Sequence, residues 1–312
     1  MVRNEFTFPS ADGKTQIHAV EWLPDGGAPR AVLQIAHGVS EYILRYEPFA
    51  AFLTEQGFAV VGHDHLGHGG SVASGAAPLY FGPKGSWDWV VADMYTLREL
   101  AGKRFPGLPY FLMGHSMGSF LTRTYLIRHP GTVDAAVVMG TGQMASALVS
   151  GGLAVAAVES LRIGEENVSP LVSKLAFDAY NKVFAPNRTA FDWLSVNEEN
   201  VDAYIADPLC GGAASIGLFR EMLQGIRFIC KAENVRRMDL NTPILFISGE
   251  MDPVGDLGKG VRAAFESFKA AGVQDVSIKL YPDLRHEILC EKERDTVYRD
   301  IYEWLTTNLP TR

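Results

Sequence analysis

The chain has 312 residues, 47% of them apolar and 21% charged, with a net charge of −8 at pH 7 and an isoelectric point near 5.5. That composition belongs to a folded protein with enough apolar material for a sizeable core, and it excludes long disordered tracts. The acidic balance excludes a binder of the nucleic-acid backbone, which needs Lys and Arg to neutralise phosphates, and directs attention to a small-molecule partner.

The first residues carry no apolar run like the core of a secretory signal, so a cytoplasmic protein is expected. Residues 5–8 and 16–22 pattern as strands around the polar turn Ala11-Asp12-Gly13-Lys14, which predicts a hairpin. Short apolar runs at 31–36, 58–61, 110–113 and 135–139 have the length of buried strands. Helical spacing fills 48–56, 87–105 and 117–129, the last stopping at Pro130-Gly131. Strand alternating with helix predicts a mostly parallel central sheet flanked by helices.

The rhythm breaks near Gly142 and resumes at Pro243, with strands at 244–248 and 277–281 around a helix at 258–271, and a closing helix at 292–308. The helix-rich stretch between carries Phe177, Tyr180, Phe184, Phe191, Trp193, Tyr204, Phe219 and Phe228. The expected organisation is therefore an α/β core from 1–142 and 237–312, with residues 143–236 inserted as a helical cap over the sheet. Residues 135–158 lack charge, but Gly140-Thr141-Gly142-Gln143 and Gly151-Gly152 interrupt them, which favours a strand and an apolar helix over a bilayer span. Cys210, Cys230 and Cys290 are odd in number and scattered, and fit neither a disulfide framework nor a zinc cluster.

Between a strand and a helix lies Gly114-His115-Ser116-Met117-Gly118. A nucleophile elbow needs small residues two positions either side of its serine, because the strained turn brings neighbouring backbone too close for side chains. Ser116 is the candidate nucleophile, and the Met117 N–H at the helix start is placed to stabilise an oxyanion. A serine hydroxyl needs a histidine to take its proton and an acid to orient that histidine, in the chain order serine, acid, histidine on such a sheet. Of eight histidines, His286 is the one in the second half of the sheet, because His129 ends the helix after the elbow. The acid should leave the preceding strand: Asp252 is preferred, with Glu250 a rival and Asp256 a weaker one. The strand at 31–36 runs into His37-Gly38-Val39-Ser40-Glu41, where a turn can aim the Val39 N–H at the same point as that of Met117. His37 is out of order for a base and is read as a structural hydrogen-bonding residue. His63, Asp64, His65 and His68 carry metal-donor atoms, but Gly67, Gly69 and Gly70 suggest a tight loop bracing the site floor, and no metal or organic cofactor is expected.

With these residues assembled, the chain resembles the monoacylglycerol lipase and lysophospholipase branch of the α/β-hydrolases, grouped with the serine aminopeptidase-like hydrolases. The markers are His37-Gly38 with Glu41 and Arg45-Tyr46, then Asp64-x-x-Gly67-His68-Gly69-x-Ser71, Gly114-His115-Ser116-Met117-Gly118, Gly249-x-x-Asp252 and His286, with Asp207-Pro208-Leu209 in the cap. The resemblance implies an α/β-hydrolase fold and hydrolysis of single-chain lipid esters through an acyl-serine. It also implies an apolar cap helix, around Ala147 to Leu161, that lines the entrance and rests on a membrane or micelle. Tyr42 stands where relatives often carry histidine, and Ser119 where the lipases usually carry a second glycine. Two alternatives accompany this expectation. An aminopeptidase would hold a substrate ammonium on cap carboxylates such as Glu159, Glu165, Glu166, Glu198 or Glu199, and a non-catalytic receptor would use the same scaffold without turnover.

Overall fold

The computed structural model describes residues 1–310; the side chains at 177 and 178, the expected cap aromatic Phe177 among them, lie outside the described residues. Strands β1 (Val2–Pro9) and β2 (Gln16–Leu23) pair antiparallel, with Val2 opposite Leu23. Asp12 closes the turn between them by accepting from the Lys14 and Thr15 N–H groups. Then come β3 (Ala31–Ala36), α1 (Glu47–Glu55), β4 (Phe58–His63), α2 (Ser86–Arg104), β5 (Tyr110–His115), α3 (Met117–Arg128) and β6 (Ala135–Met139). Helices α4 (Ser146–Ile163), α5 (Pro170–Lys182), α6 (Glu198–Ala206), α7 (Ile216–Ile229) and α8 (Ala232–Val235) intervene. The chain closes with β7 (Ile244–Gly249), α9 (Lys259–Ala271), β8 (Val276–Tyr281) and α10 (Arg294–Thr307).

Among the described residues the strands form one sheet in the order β1-β2-β4-β3-β5-β6-β7-β8. It is antiparallel at β1–β2 and β2–β4 and parallel from β4–β3 onward, the α/β-hydrolase arrangement the sequence leads one to expect. Every residue of β3, β4, β5 and β6 is buried, as strands covered on both faces require. Alternation splits them between two layers. Leu33, Phe111 and Met113 pack with Phe49 and Leu53 of α1 and Ile301 of α10. Val32, Leu112 and Val138 belong to the opposite layer, with Met94 of α2, Leu121 of α3 and Phe268 of α9.

The helices between β6 and β7 divide by packing. Helix α7 carries Leu218, Leu223 and Ile226 into the second layer of the core, against α2 and α3. Ser215 caps it, accepting from the Leu218 N–H at 3.1 Å, and its buried Glu221 accepts from the Gly85 and Trp87 N–H groups at the start of α2. Helix α4 rests one face on α7, with Gly152 against Leu223, and turns Leu148, Val158 and Leu161 to the outside. It is long and apolar enough to cross a membrane, yet only part of it is covered by protein. Truncation should separate the two helices: Leu223→Ala is expected to cost about 2–5 kcal/mol in urea unfolding, and Leu161→Ala at most about 0.5 kcal/mol.

Candidate active site

Ser116 stands between β5 and α3 with φ of +54°, a left-handed conformation that a serine holds only when its surroundings enforce it. Two close approaches do so. A Cβ on Gly114 would lie 2.1 Å from the Gly118 carbonyl oxygen, and a Cβ on Gly118 would lie 2.1 Å from that of Ala36. The second contact draws the start of α3 against the end of β3. The turn after β3 then passes the serine itself: a Cβ on Gly38 would come within 3.1 Å of the Ser116 Cβ. The Ser116 N–H donates to the Met139 carbonyl at 3.0 Å, and Ser119 reaches back to give its hydroxyl proton to the Ser116 carbonyl at 2.6 Å.

His286 leaves β8 and Asp252 leaves β7, and their side chains meet with Nδ1 2.9 Å from Oδ2, both buried. Burial alone would push the Asp252 carboxyl up; the His286 ring, the Val254 N–H and the Ser248 hydroxyl outweigh it and hold the carboxyl below its ordinary value. Of the rival acids, Glu250 is turned outward toward Arg262, and Asp256 lies exposed beyond Asp252. Loops tighten around the pair. The Met251 N–H donates to Leu284, and Gly249 packs so closely on the Leu284 and Arg285 carbonyls that a side chain there would collide. Trp193 covers the His286 ring at 5.1 Å, and Ser116 and His286 line one cavity of about 410 Å³ with Val39, Phe191, Trp193 and Tyr204. That volume lies within the ~300–1,000 Å³ of ordinary ligand pockets.

Val39 N–H has no protein acceptor among the described residues. Met117 N–H heads a helix, where the first donors find no partner within it. The Gly38 N–H beside them is taken by the Glu41 carboxylate at 2.6 Å. Glu41 anchors a buried ionic cluster with several members. Arg45 pairs with Glu41 at 2.6 Å and with Glu287 at 2.7 Å, Asn200 of α6 donates to Glu287, and the Tyr46 hydroxyl donates to Glu41. His115 has Nδ1 3.2 Å from Glu41 and Nε2 3.2 Å from the His286 carbonyl. Burial works against charge on that imidazole, but the Glu41 carboxylate prevails and raises it. Glu41 is driven well below its usual range: burial opposes ionisation, but His115 and Arg45 together outweigh it. Motif reasoning marked Glu41, Arg45, Tyr46 and His115 without giving them a task, and it gave none to Glu287, because their partners are remote in the chain.

The histidine-rich loop serves as bracing. His37 donates from Nδ1 to the Gly38 carbonyl and accepts the His65 N–H at Nε2, which fixes one neutral tautomer. His65 returns a bond to the His37 carbonyl, and Asp64 accepts from the N–H groups of Ile43 and Gly70. Burial pushes His63 and His68 down to about 3. Among the described residues no cluster of three His, Cys, Asp or Glu side chains has an arrangement that could hold a metal ion. Of the carboxylates between β6 and β7 named for an aminopeptidase, Glu159 pairs with Arg162 and Glu165 with Arg220, and Glu166, Glu198 and Glu199 are exposed and do not line the cavity of Ser116. Tyr42 gives its hydroxyl proton to Asp207 of the insertion at 2.8 Å.

Asp252, Glu41 and Glu287 are all held below their ordinary values. Their contribution to stability is therefore complete above about pH 4.5, the unfolded carboxylate range, and is lost as the pH falls through the lower folded-state values. Glu287→Gln should be less stable than the parent at pH 7 by about 1–3 kcal/mol. The gap should close below about pH 4 in urea titrations, as the parent loses the same charge.

Known proteins resemble this chain over nearly its whole length. A monoacylglycerol lipase of Mycolicibacterium smegmatis is 30% identical over 98% of this chain and 98% of its own. Human monoglyceride lipase is 28% identical over 97% of this chain and 90% of its own. The structure of a thermostable carboxyl esterase from Bacillus coagulans, solved with glycerol, superposes with a TM-score of 0.91 at 28% identity, covering 98% of this chain and 99% of that one. Residues 27–293 match the family described as serine aminopeptidase, S33, and it is to this family of α/β-hydrolases that the chain belongs.

Proposed function

We propose that the protein hydrolyses carboxylic esters of single-chain lipids, monoacylglycerols foremost, through an acyl-serine intermediate. The observation that carries this reading is that His286, paired with the buried Asp252, lines the same cavity as Ser116, in a chain 30% identical to a monoacylglycerol lipase. With Nδ1 committed to Asp252, the His286 Nε2 is the nitrogen left to act as base. It takes the Ser116 hydroxyl proton as Oγ attacks the ester carbonyl carbon. Val39 and Met117 N–H groups hold the resulting oxyanion. The carbon–oxygen bond to the alcohol breaks as His286 delivers its proton to that oxygen. Water then attacks the acyl-serine, with His286 accepting its proton and returning one to Ser116 as the acid leaves.

Of residues 143–236, α7 belongs to the core, and the stretch up to Ser215 acts as the cap in this proposal, with α4 as its membrane-facing element. Its outward Leu148, Val158 and Leu161, with Leu171 and Leu175 of α5, make an apolar surface suited to a bilayer or micelle. A cytoplasmic setting belongs to the same proposal and accords with three free thiols.

Ser116→Ala should lower kcat on short acyl esters by about 10⁴-fold or more, and retention of substantial activity would sink the mechanism. Leu161→Glu should leave turnover of a water-soluble ester intact while reducing turnover of monoacylglycerol in micelles and co-sedimentation with vesicles. Amino-acid arylamides should not be turned over; cleavage of these in preference to esters would support the aminopeptidase alternative.

A further inference from the structure

The turn that carries Val39 is held from outside itself. Ser40 has φ of +56°, and unlike the elbow serine it is not forced there by neighbouring glycines in a strand and a helix. Left-handed backbone is disfavoured for a serine, so something must hold it. Three hydrogen bonds do, and all come from residues between β6 and β7. The Tyr204 hydroxyl of α6 donates to the Ser40 carbonyl at 3.0 Å, the Gly211 N–H donates to the same carbonyl at 3.0 Å, and the Ser40 hydroxyl donates to the Gly212 carbonyl at 2.7 Å.

Tyr204 is itself fixed. The Arg45 guanidinium lies 4.9 Å from its ring centroid, and Phe191 packs against it at 5.3 Å. Gly211 sits so close that a Cβ there would be 3.2 Å from the Tyr204 ring. On its other side the turn is held by the Glu41 carboxylate on the Gly38 N–H. Val39 thus lies between two pinned neighbours with its N–H unspent.

We propose that Tyr204 is a positioning residue for the oxyanion site: through the Ser40 carbonyl it keeps the turn left-handed and so keeps the Val39 N–H aimed at the oxyanion. Seating of α6 and availability of the second oxyanion donor become one event. This rests on the ester-hydrolase reading above.

The test compares Tyr204→Phe, Ser40→Gly, Ser40→Ala and the double variant Tyr204→Phe/Ser40→Gly on a soluble short acyl ester, with the affinity of an alkyl boronic acid as a mimic of the tetrahedral state. Tyr204→Phe should lower kcat by about 10-fold or more with KM little changed, and weaken the boronic acid by a similar factor. Adding Ser40→Gly should restore most of that loss, because glycine takes positive φ without help. Ser40→Ala and Ser40→Gly delete the same hydroxyl, so the glycine variant should be the more active of the two; this comparison does not depend on Tyr204→Phe folding. The proposal is overturned if Tyr204→Phe alters KM alone or leaves kcat unchanged, if glycine gives no rescue, or if the two Ser40 variants are equally active. An active parent with those results defeats only the role of Tyr204, whereas a parent inactive on every ester, or activity surviving Ser116→Ala, defeats the underlying reading as well.

Discussion

The site depends first on backbone meeting backbone without side chains between. Gly118 lies so close to the Ala36 carbonyl, and Gly114 to Gly118, that the start of α3, the end of β5 and the end of β3 form one contact. A single Cβ at either glycine would force these elements apart. Two consequences follow together: Ser116 would relax from its left-handed conformation, and the Met117 and Val39 N–H groups would separate. Strain of about 1–3 kcal/mol at one residue is sustained here by a sheet whose neighbouring strands are wholly buried.

Around that contact the charges are arranged in two distinct ways. On the floor beneath the His115 ring, the Arg45 guanidinium sits between the Glu41 and Glu287 carboxylates at hydrogen-bond distance, and the His115 ring lies against Glu41, so that each buried charge has a partner. In the turn after β3 and the loop after β4, His37, His65 and His68 are buried, hydrogen-bonded to backbone, and pushed toward the neutral form. One wall is thus ionic with every member paired, and the other holds neutral imidazoles around the Asp64 carboxylate. Between them, fixed N–H dipoles are left to respond when charge develops on the carbonyl oxygen of an ester.

How much of this could be read beforehand depends on the range of each signal. The succession of apolar runs exposed the parallel sheet, because β3, β4, β5 and β6 are buried on both faces and their residues are mostly apolar, Gln34 being the polar exception inside a run. Ser116, Asp252 and His286 could be nominated because the elbow spacing is local and chain order leaves few partners for it. Ser40 and Tyr204 could not. A hydrogen bond between residues 40 and 204 leaves no periodicity, and a positive φ at a serine has no compositional mark. The place of α7 was equally hidden: its amphipathic pattern is as strong as that of any core helix, but nothing in the pattern says that its apolar face fills the layer beside α2 and α3. Most edges of elements moved by a residue or two, as expected where caps rather than burial decide them, and β1 begins three residues before the expected 5–8.

Strands β6 and β7 are parallel neighbours, with Ala136 opposite Ile244, so the helices between them leave the carboxyl edge of the sheet after Met139 and return to its amino edge at Ile244. Such an attachment tolerates change in what it carries, because lengthening a chain between two fixed points adds little entropic cost. The tolerance has a limit here. Helix α7 is committed to the core, so the freely variable part runs from about the start of α4 to Ser215, and within it Tyr204, Gly211 and Gly212 are bound to the turn that carries Val39. Descendants of this chain can therefore change what the cavity accepts by rebuilding α5, whose Ser173, Asn181 and Lys182 line it, whereas α6 and the Gly211–Gly212 turn must evolve in step with Ser40.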